Sequence, residues 1–101
     1  MRWQTITVDV GRMTMQTIWK YPVVLDDEFE LRMPAGARLL TVQVQQGKPV
    51  LWALVNPDVP QKTRRFRLYG TGQPLPDAPG EYVGSFQVHG GALVFHLFAR
   101  Q

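Results

Sequence analysis

Residues 84–98, GSFQVHGGALVFHLF, restrict the fold of this chain more than any other stretch. Two β-rich runs flank His89, Gly90 and Gly91. A tight hairpin turn needs positive φ, which glycine reaches without a Cβ clash, so the stretch reads as two antiparallel strands folded through that turn. In the second run, residues 92–98, alternation places Leu93, Phe95 and Leu97 on one face and Ala92, Val94, His96 and Phe98 on the other. A strand that is apolar on both faces sits centrally, between two layers or at a subunit interface. The partner run, residues 81–88, alternates Tyr82, Gly84, Phe86 and Val88 against Val83, Ser85 and Gln87.

The remainder of the chain repeats this grammar. Residues 15–21 predict a strand stopped by Pro22, and Phe29, Leu31 and Met33 alternate with charged neighbours after an acidic loop at Asp26, Asp27 and Glu28. Residues 39–45 alternate with Leu40, Val42 and Val44 inward, and Gln46, Gly47, Lys48 and Pro49 close a hairpin onto residues 50–55, again apolar on both faces. Residues 63–70 form a basic strand. Turn signals recur about every 8–12 residues and no helical period of useful length occurs. The expected fold is therefore all-β: a single-domain antiparallel β-sandwich or partly open barrel of seven strands in residues 15–101, with an eighth if residues 3–10 of an N-terminal extension (1–14) pair. The expected core comprises Val42, Val44, Leu51, Phe66, Leu68, Phe86, Leu93, Phe95 and Leu97. Two strands with two apolar faces each, in a domain with few layers to cover them, predict a two-fold homodimer.

Composition narrows the chemistry. The 101 residues include no cysteine, which removes disulfides, thiolate metal sites and a cysteine nucleophile. No apolar run approaches about 18 residues, so no membrane span is expected. The N-terminal residues lack the apolar core of a signal peptide, and a cytoplasmic location is the expectation. Ser85 is the sole serine and stands outside any GxSxG pattern, which speaks against a serine hydrolase. His89 and His96 are too few to hold zinc, which takes about four converging ligands. No enzyme, metal or other cofactor is called for.

A binding surface is better supported. Arg65, Arg67 and Tyr69 alternate away from Phe66 and Leu68, and Gly70, Thr71 and Gly72 follow at once. Arginine's planar fork grips carboxylate or phosphate in bidentate fashion, and backbone N–H groups of a glycine-rich loop can approach an anion closely. The partner would be a protein with an acidic surface or a small anionic ligand. Nucleic acid is a weaker third, because three such side chains make a small footprint on a chain of net charge +3. The plain alternative is an exposed strand kept soluble by its arginines. The loop that follows, residues 70–80, holds three glycines and three prolines and is long for a connector.

The ordered motifs IWKYP (18–22), MPAGA (33–37) with VQVQ (42–45), LWALV (51–55), FRLYGTG (66–72) and HGGALVFH (89–96) resemble a family of small proteins of unknown function found in bacteriophage and prophage genomes. The resemblance covers roughly residues 15–98; such proteins usually begin near the Trp-Lys-Tyr segment, so residues 1–14 depart from it. It implies a phage context in which small proteins often act as counter-defence or host-takeover factors. The expected function is a non-enzymatic binding protein that inhibits a host defence system by occluding a protein surface. The alternatives are sequestration of a nucleotide or similar anion, and a structural virion or assembly role.

Overall fold

The computed structural model describes residues 15–100, in which every regular element is a strand. The strand expected over residues 3–10 lies outside the described residues. The elements are β1 (Thr17–Pro22), β2 (Glu28–Pro34), β3 (Arg38–Gln45), β4 (Lys48–Val55), β5 (Gln61–Gly70), β6 (Glu81–Val88) and β7 (Leu93–Ala99). They form two antiparallel sheets, ordered β1-β4-β3 and β2-β5-β7-β6. The result is a two-sheet sandwich rather than a closed barrel. No helix among the described residues is long and apolar enough to cross a membrane.

The 89–91 turn forms as its residues dictate. His89, Gly90 and Gly91 all take positive φ (56°, 66° and 92°), and the N–H groups of Gly91 and Ala92 donate to the carbonyls of Val88 and His89. Ala92 is thus spent on the turn and β7 begins at Leu93. The two runs with two apolar faces, β4 and β7, are each flanked by hydrogen-bonded neighbours on both sides. Their outward faces are partly covered within the chain itself: Tyr69 and Tyr82 pack on Phe98, and the Lys20 ammonium lies 5.7 Å from the Trp52 ring.

The core fills the space between the sheets. Val42, Leu51, Ala53 and Val55 project from the three-stranded sheet onto Phe29, Met33, Phe66, Leu68, Phe86 and Leu97 of the other. Three of the expected core positions differ. Val44 and Leu93 are 39% and 45% exposed, because each pairs beside a hairpin tip, with Pro49 and Val88 respectively. Phe95 packs against the cluster only at its margin. A bulge between Leu39 and Thr41 also breaks the expected alternation: Leu39 turns inward opposite Ala53, and Leu40 is exposed.

Tyr21 points inward from edge strand β1, and its hydroxyl is buried without a hydrogen-bond partner among the described residues. Burial disfavours the phenolate and pushes its ionisation above the ordinary value near about 10. The unfolded chain then loses this proton first, so the contribution of neutral Tyr21 is complete below about pH 10 and is lost as pH rises through the folded value. An ultraviolet titration near the phenolate band should show a tyrosine ionisation above the ordinary range, and Tyr21→Phe should remove that step.

Candidate functional site

The outward face of the four-stranded sheet carries two rows of side chains that run across the strands. One row is Glu28, Arg67, Phe98 and Tyr82; the other is Tyr69, His96 and Ser85. A bulge makes the first row possible. Between Tyr82 and Gly84 the register of β6 shifts, so Tyr82 pairs with Phe98 on the outer face while Phe86 and Val88 face the core. Simple alternation had put all three on one face. The bulge leaves Val83 as the extra residue.

Loop residues 70–75 fold over one end of these rows. Gln73 anchors the loop: its N–H donates to the Gly70 carbonyl, and its side-chain Oε1 accepts from the Gly70 N–H. Between the loop and the sheet lies a cleft of about 390 Å³. Its apolar walls include Phe98, Leu75 and Tyr82, the last two 50% and 56% exposed. Tyr69 forms the buried base, edge-on to Phe98 at 5.6 Å.

A continuous hydrogen-bond chain crosses the cleft. The Tyr82 hydroxyl lies 2.6 Å from Ser85 Oγ, Ser85 Oγ lies 2.6 Å from His96 Nδ1, and His96 Nε2 lies 2.8 Å from Thr71 Oγ1. Each group can be satisfied at once, and such chains reinforce their members. A serine beside a histidine invites comparison with a nucleophile and its base. Here the far ring nitrogen meets a neutral hydroxyl, and among the described residues no carboxylate lines the cleft to stabilise an imidazolium. Among the described residues no cluster of three or more His, Asp or Glu could hold a metal ion.

The six residues singled out from the sequence divide between two places. Tyr69, Gly70, Thr71 and Gly72 line the cleft. Arg67 turns toward β2, where its Nη1 pairs with Glu28 at 3.2 Å, and its guanidinium stacks 5.0 Å from the Tyr69 ring. Arg100 shares the same carboxylate at 3.0 Å. Arg65 sits opposite Glu30 in the ladder, beside a depression shared with Glu28 and Arg100. The arginines therefore belong to an edge that they share with Glu28 and Glu30 rather than to the cleft.

Sequence reasoning missed Tyr82, Ser85, His96, Leu75 and Phe98. A signal for one contact was present. A turn centred on Gly90 and Gly91 sets residues equidistant from it opposite one another, and Ser85 and His96 are such a pair.

A family model described as a domain of unknown function, DUF7352, matches residues 15–101. No curated protein and no solved structure matches the chain. The match takes in both sheets, the 70–80 loop and every residue of the cleft; the chain belongs to the DUF7352 family.

Proposed function

We propose that this is a non-enzymatic binding protein that seats a small ligand in the cleft beneath loop 70–75 and acts by sequestering it. One observation carries the reading: a concave space of about 390 Å³ with exposed apolar walls and an ordered polar chain inside it. Small-molecule sites combine an apolar lining with a few fixed polar groups, at about 300–1,000 Å³. In the phage context that the resemblance implies, sequestering a small molecule would serve counter-defence. Occlusion of an acidic protein surface through the arginines is less well supported. Glu28 and Glu30 stand among them, and Glu28 already engages Arg67 and Arg100.

A thermal-shift screen of small neutral aromatic and small anionic compounds tests the reading. A ligand at 100 times its dissociation constant adds about 2.7 kcal/mol of stability. Stabilising compounds should lose most of their effect in Tyr82→Ala, a change at an exposed position, and keep it in Arg65→Ala with Arg100→Ala. The reverse pattern would move the site to the arginine edge and sink the reading.

A further inference from the structure

We infer that the cleft takes a planar heteroaromatic ring carrying both a hydrogen-bond donor and an acceptor, the chemistry of a nucleobase. This rests on the cleft being the working site.

The walls argue for a flat ring. Tyr82 packs on Phe98 at 5.3 Å and is still 56% exposed, and Leu75, half-exposed on the loop, lines the same cleft. Exposed aromatic platforms stack any base, since every base has a π-face. The lining argues for a ring without formal charge. Among the described residues it contains no Asp, Glu, Lys or Arg, and the nearby Arg67 pairs with Glu28.

The polar chain argues for paired functionality. Two proton arrangements keep the Ser85 hydroxyl hydrogen within it. In one, Tyr82 donates to Ser85, Ser85 donates to His96 Nδ1, and the Nε2–H donates to Thr71. Tyr82 then offers a lone pair to a ligand, and Thr71 offers its O–H. In the other, every bond reverses: Thr71 donates to Nε2, the Nδ1–H donates to Ser85, and Ser85 donates to Tyr82. Thr71 then offers a lone pair, and Tyr82 its O–H. In both arrangements one end of the chain donates while the other accepts. A ring with a single kind of polar group satisfies only one end. Nucleobases carry both kinds on their edges, and reversal lets the same chain read either polarity.

Isothermal titration calorimetry with the four ribonucleosides, their 5′-monophosphates, indole (a donor only) and quinoline (an acceptor only) tests this. At least one nucleoside should bind about tenfold more tightly than indole or quinoline, and its monophosphate no more tightly than the nucleoside. Tyr82→Ala should weaken nucleoside binding about five- to hundredfold, the range for loss of one stacking ring. Ser85→Ala interrupts the relay while leaving the walls, and should erase the preference over indole. Indole and quinoline binding as well as the nucleosides would overturn the ligand class and leave the cleft as the site. Monophosphates binding where nucleosides do not would replace the class with an anion. No binding by any of these rings would bring down the cleft reading as well.

Discussion

Phe66→Ala should destabilise the domain by about 3–5 kcal/mol, a large part of the roughly 5–15 kcal/mol that holds a domain of this size together. Phe66 is 0% exposed, stacks on Phe29 at 5.3 Å with the rings 12° from parallel, and pairs in the ladder with Phe29 on one side and Ala99 on the other. Truncation removes the stacked contact and leaves a cavity at the centre of β5, where hydrogen-bonded neighbours on both sides restrict collapse. Urea melts of both proteins measure the loss. Phe95→Ala provides the contrast: Phe95 lies at the margin of the core, so its loss should be distinctly smaller. Equal losses at the two positions, or a loss under about 1 kcal/mol at Phe66, would mean that the core is misplaced.

Gly80→Ala should be as damaging through a different cause. Gly80 precedes β6 with φ +103°, in a region that side chains avoid. A Cβ built there would come within 2.2 Å of the Ala99 carbonyl oxygen and 3.1 Å of its carbon. Both are backbone atoms of a paired strand and cannot swing aside as a side chain would. Backbone strain of about 1–3 kcal/mol adds to a similar steric cost. The expected loss is about 2–6 kcal/mol in the same melts. Gly36→Ala is the control, since it also has positive φ (+77°) but meets nothing within 4 Å, so it should show strain alone. Equal effects of the two substitutions would show that the contact with Ala99 is not made.

The architecture was legible because it rests on local chemistry. Gly90 and Gly91 announce the turn and alternation announces most strands; β4 and β7, apolar on both faces, lie in the interiors of their sheets. The errors fall where one residue changes the period. The bulges at Leu40 and Val83 each invert a face, and nothing in the residue types marks them. Val44 and Leu93 have the right faces but sit beside hairpin tips, a matter of where the opposing sheet ends.

The site was half legible for the same reason. Tyr69, Gly70, Thr71 and Gly72 are contiguous and reached the cleft together. Ser85 and His96 required the hairpin register, and Tyr82 required the bulge. The arginines looked available because alternation points them outward, but alternation does not reveal that β2 lies alongside with Glu28 opposite Arg67.

The central claim is that the ligand sits in the cleft under loop 70–75. Backbone amide shifts recorded by two-dimensional NMR, as the ribonucleosides and then indole are added, test it most directly. Perturbed amides should gather on Gly70, Thr71, Gly72, Gln73, Ser85 and His96, and in Tyr82→Ala the same amides should respond only at about five- to hundredfold higher ligand concentration while the remaining spectrum holds. Perturbations centred on Arg65 and Arg100, or on the three-stranded sheet, or none at all, would contradict it.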